Sequence, residues 1–125
     1  MTNALWCVPM AALMPYIWSS LAKYTGAEFD NSRPREFLDQ ITGWRKRANW
    51  AQKNSFEALP LFTSGVIVAH YVGKATQLQI DIAAFIFIGL RAFYGLSYIK
   101  NWAAARSIAW FMGLMTSMSF FFMSI

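Results

Sequence analysis

The sequence predicts an all-α integral membrane protein in which four spanning helices form one domain over residues 1–125. Three observations predict this fold class. Apolar residues make up 57% of the chain and charged residues only 14%, whereas a soluble domain is about one quarter charged. The apolar residues form long runs that do not alternate with the period of two typical of strands. The basic residues collect in two of the connections between those runs.

The apolar runs give the positions of the helices in order. A helix needs about 20 residues to cross the hydrocarbon layer, and the runs predict spans at about 4–23, 47–73, 75–99 and 104–125. No Lys or Arg precedes the first run, so we expect a retained span rather than a signal peptide. In the first connection, Pro34 is expected to open a helix that continues over 35–47 into the second span. Pro60 is expected to kink that span.

The basic residues predict the orientation of the helices. Nine of the 11 Lys and Arg residues lie in or beside the first and third connections, and only Lys74 lies at the second. Cytoplasmic loops of membrane proteins carry an excess of Lys and Arg. We therefore predict that both basic connections are cytoplasmic and that both termini are outside.

The composition also limits the kinds of partner and site that are expected. The net charge is +5, but the basic residues form no stripe on a soluble fold, so no nucleic-acid partner is expected. Cys7 is the only cysteine and His70 is isolated in its helix. Neither an intrachain disulfide nor a metal site is therefore expected.

Two of the predicted helices carry polar side chains along one stripe. At about 100° per residue, an arc of about 80° on the second helix holds Arg47, Asn54 and Glu57. By the same arithmetic, an arc of about 60° on the third helix holds Arg91, Tyr94 and Tyr98. The topology brings both stripes, with Arg106 of the fourth helix, to the cytoplasmic end. Because charges within membrane helices usually face a bundle interior or a cavity, we interpret the group as a pocket for a small, chiefly anionic molecule; the alternative is that these side chains only satisfy one another.

Asp81 is a charged residue near the outer end of the third predicted helix, away from both stripes. The sequence leaves three roles open for it. These roles are an ion pair with Lys74, a position at the membrane interface, and a contact between helices.

The polar stripes carry a resemblance to a known family. The segment RANWAQKNSFEALPLF, residues 47–62, resembles the second-helix signature of the MAPEG family, the membrane-associated proteins in eicosanoid and glutathione metabolism. The segment RAFYGLSY, residues 91–98, resembles the Arg…Tyr…Tyr pattern of the third helix of that family, and Arg106-Ser107 resembles the start of its fourth. These elements occur in the family's order over nearly the whole chain, which is similar to the short bacterial members.

The resemblance implies a homotrimer of four-helix bundle subunits in the bacterial cytoplasmic (inner) membrane. Glutathione, a co-substrate, would bind at subunit interfaces near the cytoplasmic side. The residues implied to bind the tripeptide are Arg47, Gln52, Asn54, Glu57, Arg91, Tyr94, Tyr98 and Ser107. Arg106 is implied as the catalytic residue, beside the glutathione thiol.

The function implied by the resemblance is a detoxifying glutathione-dependent transferase or peroxidase that acts on lipophilic electrophiles dissolved in the bilayer. A non-catalytic lipid-binding or scaffold membrane protein of the same family is the alternative, since Trp50 stands where several members have a carboxylate-binding arginine. A small cation exporter would need a carboxylate deep in a span. The first predicted helix has none, and Glu57 lies near the cytoplasmic end of its helix, so this third function is disfavoured.

Overall fold

The protein folds into five α-helices, seen in a computed structural model that describes residues 1–26 and 28–125. In chain order they are α1 (Asn3–Tyr24), α2 (Pro34–Gln40), α3 (Gly43–Val72), α4 (Gln77–Ile99) and α5 (Ala103–Phe122). The described residues contain no β-strand, so the all-α prediction is confirmed. By length and composition, α1, α3 and α4 are able to cross a membrane. α5 is 20 residues long but is not among them, because Arg106 and several Ser and Thr residues lower its mean hydropathy.

The connection after α1 contains a break in the helix that was expected over 35–47. α2 begins at Pro34, as predicted, but has only seven residues. Ile41 and Thr42 then take extended backbone, with ψ angles of 154° and 175°. Gly43 follows with a φ of +67°, a left-handed conformation that glycine adopts without steric cost. The prediction of one continuous helix is therefore wrong, because two β-branched residues and a left-handed glycine separate α2 from α3.

The buried centre of the molecule joins α3, α4 and α5 through three phenylalanines. Phe62 of α3 and Phe87 of α4 stack face to face, with ring centroids 3.9 Å apart. Phe120 of α5 meets Phe62 edge-on at 5.8 Å. All three rings are fully or almost fully buried. Aromatic pairs of this kind combine a large buried area with a preferred geometry, so they fix how the three helices pack.

α1 and α4 are in close contact at Trp18 and Gly95. A Cβ built on Gly95 would lie 2.1 Å from Cζ2 of the Trp18 indole, which is too close for any side chain. The indole therefore packs directly on the backbone of α4. Gly89, two turns earlier in α4, has no neighbouring atom within 4 Å of such a Cβ.

The last turn of α1 is tied to the first turn of α3 by Arg45. Its Nε donates a hydrogen bond to the carbonyl oxygen of Ala22 at 2.9 Å, and its Nη2 donates to that of Lys23 at 3.0 Å. The final carbonyls of a helix have no partner within it. Arg45 supplies that partner and holds the basic ends of the two helices together.

At the opposite end, Asp81 of α4 holds the start of α1. Its Oδ1 accepts hydrogen bonds from the backbone N–H of Ala4 at 2.8 Å and from Nε2 of Gln77 at 2.7 Å. Its Oδ2 accepts one from Nδ2 of Asn3 at 3.2 Å. Of the three roles left open by the sequence, Asp81 therefore takes the contact between helices.

Candidate functional site

Three polar side chains form a hydrogen-bonded line from α4 to α3. Nη2 of Arg91 donates to Oδ1 of Asn54 at 2.8 Å. Nδ2 of Asn54 donates to Oε2 of Glu57 at 3.0 Å. Asn54 and Glu57 are one helical turn apart on α3, so they share a face. The line runs from a buried guanidinium to an exposed carboxylate.

Arg91 is the buried end of this line. Only 3% of the residue is exposed, and its Cζ lies 4.3 Å from the ring centroid of Tyr94, one turn further along α4. Its Nε finds no hydrogen-bond partner among the described residues. The face of Tyr94 and the amide of Asn54 therefore stabilise this charge, and the hydrogen-bonded connection from Arg91 to Glu57 passes through Asn54.

The second half of the site is a stack of aromatic and cationic groups around Tyr98. The Tyr98 ring meets that of Tyr94 edge-on at 5.6 Å and that of Trp50 at 6.0 Å. Cζ of Arg106, in the first turn of α5, lies 4.5 Å from the Tyr98 centroid. A guanidinium held over an aromatic face keeps its charge while most of its N–H donors stay free. Arg106 is therefore presented beside the polar residues of α3 and α4.

An open cleft of about 380 Å³ lies on the face between α3 and α4; Arg91 and Arg106 are not among its wall residues but contact Tyr94 and Tyr98, which are. Its walls consist of Trp50, Lys53, Asn54, Glu57, Tyr94 and Tyr98. The volume lies at the lower end of the range for small-molecule sites, about 300–1,000 Å³. One carboxylate, one ammonium and two phenols suit a small ligand that carries both signs of charge. Among the described residues, no three His, Cys, Asp or Glu side chains are grouped to hold a metal ion.

Arg47 lies beside this cleft but is bound elsewhere. Its Nε donates to the carbonyl oxygen of Tyr98 at 3.0 Å, and its Nη2 donates to that of Ile99 at 3.0 Å. These carbonyls belong to the last turn of α4. Arg47 therefore fixes the end of α4 to α3, and the ring of Tyr98 with it.

Two further residues predicted for the site lie away from the cleft walls. Gln52 lines a separate cavity between α2 and α3. Ser107 is exposed on α5, and its hydroxyl donates to the carbonyl oxygen of Ala103 at 3.1 Å. The structure thus brings together Asn54, Glu57, Arg91, Tyr94, Tyr98 and Arg106, while Arg47, Gln52 and Ser107 have other immediate surroundings.

Lys53 and Trp50 also line the cleft, although neither is among the residues predicted to bind the ligand; Trp50 was noted only as standing where several family members have a carboxylate-binding arginine. The signal was present, because Trp50, Lys53, Asn54 and Glu57 follow the spacing i, i+3, i+4, i+7 of one helical face. Their chemical types hid it, since a tryptophan and a lysine near the end of a membrane helix usually contact lipid or water.

The sequence model of the MAPEG family matches residues 3–125, which is essentially the whole chain. The matched range includes every residue of the cleft and all five helices. No curated protein and no solved structure matches the chain.

Proposed function

Because the chain belongs to the MAPEG family, we propose that it is a membrane-bound glutathione-dependent transferase or peroxidase for lipophilic electrophiles. It is a multi-pass membrane protein, as its family and its three long apolar helices indicate. The observation that carries the proposal is the hydrogen-bonded line from Arg91 through Asn54 to Glu57, which ends in an open cleft. The electrophilic substrate of the protein is expected to arrive through the bilayer, where lipophilic electrophiles concentrate.

The charges of the cleft suit the two ends of glutathione. The tripeptide carries one ammonium group and two carboxylates at neutral pH. Glu57 is the carboxylate of the cleft and is free to accept from the ammonium group on its exposed side. The ammonium of Lys53 and the hydroxyl groups of Tyr94 and Tyr98 are available to the carboxylates, so Asn54, Glu57 and the two tyrosines are proposed to bind the tripeptide, with Arg91 behind them.

Arg106 is proposed to stabilise the thiolate form of glutathione. A free thiol titrates near 8.5, so at neutral pH only a few per cent is ionised. A lowering of that pKa by about two units corresponds to about 2.7 kcal/mol of thiolate stabilisation, which a nearby guanidinium supplies when water is excluded. The guanidinium does not accept a proton, so the thiol proton passes to water. The thiolate sulfur then forms a C–S bond to the electrophile as the leaving group departs with the bonding electrons, as chloride in the case of chlorodinitrobenzene. Cys7 stays buried in α1 and takes no part.

The site is proposed to be completed by neighbouring subunits in a homotrimer, as the family resemblance implies. The openness of the cleft supports this, because a small ligand needs walls on more than one side. Native mass spectrometry of the purified protein is expected to give the mass of three chains. A predominant single chain in a mild detergent that preserves glutathione binding would contradict the trimer.

The orientation proposed from the basic residues has α5 as a fourth crossing, with both termini outside. The side chains of Ser107, Thr116 and Ser119 donate to carbonyls of their own helix, which lowers the cost of placing them in lipid. Reporter fusions at residue 125 test the topology. An alkaline phosphatase fusion should be active and a green fluorescent protein fusion dark; the reverse pattern would rule it out.

A non-catalytic lipid-binding or scaffold role is the second candidate. The observation that favours it is Trp50, whose ring lies against Tyr98 in the wall of the cleft. A bulky apolar ring there favours a lipophilic ligand over a carboxylate. Titration of the purified protein with glutathione in a calorimeter, followed by conjugation to chlorodinitrobenzene, separates the two. Saturable binding with turnover supports the transferase, and absence of binding supports the scaffold.

A further inference from the structure

Asn101, in the connection between α4 and α5, has an unusual backbone conformation. Its φ is +60°, and in the described part of the chain it is the only residue other than glycine with a positive φ. Few residues with a side chain adopt this left-handed conformation, although asparagine does so more often than most. Asn101 is exposed, so the burial of its side chain does not impose the conformation. Outliers of this kind concentrate where the surrounding structure depends on them.

The left-handed residue closes α4 in a Schellman motif. The N–H of Trp102 donates to the carbonyl oxygen of Ser97 at 2.9 Å, and the N–H of Asn101 donates to that of Tyr98 at 3.1 Å. These two bonds define the motif, which places a left-handed residue directly after the helix cap, here Lys100. The second bond ends on the backbone of Tyr98, which is a residue of the candidate site.

The same turn starts α5. Only residues 100–102 link the two helices. The carbonyl oxygen of Trp102 accepts from the N–H of Arg106 at 2.9 Å, in the first turn of α5. Because the link is this short, the backbone angles of Asn101 set the direction in which α5 leaves α4.

This direction decides whether Arg106 reaches Tyr98. Cζ of Arg106 lies 4.5 Å from the Tyr98 ring centroid, and a cation interacts with a ring out to about 6 Å. A shift of the first turn by about 1.5 Å therefore brings the guanidinium to the limit of this contact. Near the other end of α5, Phe120 packs on Phe62. A change of angle at Asn101 is thus expected to move the first turn of α5 more than its far end.

We propose that Asn101 is a positioning residue, whose left-handed backbone holds the guanidinium of Arg106 over the ring of Tyr98. Asparagine adopts the conformation at a smaller cost than other side chains, whereas a β-branched residue resists it. The effect of Asn101 on the glutathione thiolate rests on the proposed function. The placement of Arg106 does not.

The first measurement follows the contact between Arg106 and Tyr98 without glutathione. The full-length chain carries 3-fluorotyrosine in place of Tyr98, and its fluorine resonance is recorded in detergent. Arg106→Ala gives the resonance of a ring without its guanidinium. Asn101→Val should shift the resonance toward that value. Asn101→Gly should keep the wild-type resonance and turnover, because glycine adopts the left-handed conformation without steric cost.

Gly73→Val is the matched control for backbone strain. Gly73 has a φ of +69° and caps α3 at the opposite end of the molecule. A Cβ built there meets its nearest atom only at 4.0 Å, so the substitution adds strain without a clash. Both Asn101→Val and Gly73→Val should lower the unfolding temperature by several degrees, but only Asn101→Val should move the fluorine resonance. Asn101→Ala, with a smaller side chain, provides the same comparison if Asn101→Val does not fold.

The second measurement adds glutathione and chlorodinitrobenzene. Asn101→Val should lower conjugation about tenfold or more, since a misplacement of about 1 Å costs up to about 100-fold. It should also remove the thiolate absorbance near neutral pH. The Kd for glutathione should change by less than about threefold, because Arg47 still holds the backbone of Tyr98 and the expected loss is well below 1 kcal/mol.

The two measurements separate the positioning role from the proposed function. An unchanged fluorine resonance in Asn101→Val, or an equal shift in Gly73→Val, would overturn the role of Asn101. A shifted resonance with an intact thiolate signal supports that role and contradicts the assignment of the thiolate to Arg106. If the wild-type protein binds no glutathione, the proposed function fails, while the fluorine resonance still decides whether Asn101 positions Arg106.

Discussion

Arg47 donates a hydrogen bond to the backbone carbonyl of Tyr98, the residue whose ring faces the guanidinium of Arg106. Arg47 thus holds the backbone of Tyr98, and the guanidinium of Arg106 lies over the Tyr98 ring. The two guanidinium groups act on opposite parts of the same tyrosine. This arrangement gives Arg47 an indirect role in the site, through the position of Tyr98.

Arg47→Met is expected to lower the stability of the protein by about 1.5–3 kcal/mol, the range for hydrogen bonds to charged groups. Turnover should fall and the Kd for glutathione should rise about three- to tenfold, for about 1 kcal/mol, because Tyr98, which is proposed both to contact the tripeptide and to hold Arg106, loses its support. Arg47→Lys should recover part of the stability, since lysine keeps the charge without the planar fork. Thermal unfolding and calorimetry measure the two effects. A large loss of glutathione affinity with unchanged stability would instead assign Arg47 to direct binding.

Glu57→Gln is expected to weaken glutathione binding by about 1.5–3 kcal/mol, or about 10- to 150-fold. The amide keeps the shape of the side chain and a contact to Asn54 but loses the charge that faces the ammonium group. Glu36→Gln, an exposed carboxylate of α2, is the control and should bind normally. If Glu57→Gln lowers the unfolding temperature and leaves the calorimetric affinity for glutathione unchanged, Glu57 positions Asn54 and stabilises the fold but does not bind the ligand.

Arg106→Ala is expected to leave most of the glutathione affinity but to abolish the ultraviolet absorbance of bound thiolate near neutral pH. Conjugation to chlorodinitrobenzene should fall about tenfold or more, at about 1.4 kcal/mol per decade. Arg106→Lys should restore only part of this loss. Lys100→Ala removes a charge from the neighbouring connection and should leave both signals intact. Retention of thiolate and turnover in Arg106→Ala would transfer the role to another cation, with Arg91 as the first to test.

Gly95→Ala is expected to destabilise the protein by about 1–3 kcal/mol, the usual cost of overpacking a core. The added methyl group would overlap the indole of Trp18. Gly89→Ala is a matched control on the same helix, where the methyl group meets open space. It should be neutral or stabilising, because alanine has the higher helix propensity. Unfolding of both variants in detergent, followed by circular dichroism, distinguishes contact with Trp18 from a general effect of glycine replacement.

The sequence predicted the elements and faces that depend on periodicity. Hydropathy located α1, α3 and α4 to within a few residues, and the angular arithmetic placed Asn54 and Arg91 on faces that meet. The sequence did not predict the hydrogen-bond partners of Arg47, because a long side chain reaches several neighbours from one helix face. The final carbonyls of α4 also carry no signal in the sequence, since every residue type has one.

The break between α2 and α3 shows a second limit. Helix propensity is a weak prior over a few residues, and the charged stretch before α3 resembles a helical one in composition. Ile41, Thr42 and Gly43 mark the break only in combination, through two extended residues and one left-handed residue. The angle of α2, and with it the cavity that contains Gln52, depends on these three positions.

Arg45 and Arg47 both bind backbone oxygens, at the ends of α1 and α4. A backbone oxygen is common to every amino acid, so these bonds themselves place no requirement on side-chain type. Packing restricts two of the positions, because Ala22 is fully buried with Leu38 and Ala48, and Ile99 packs against the same cluster. Lys23 is only half-buried, so position 23 is the one that tolerates replacement while its carbonyl still accepts from Arg45. A library that randomises position 23 and holds Arg45 and Arg47 constant is expected to retain far more folded variants than one that randomises the two arginines.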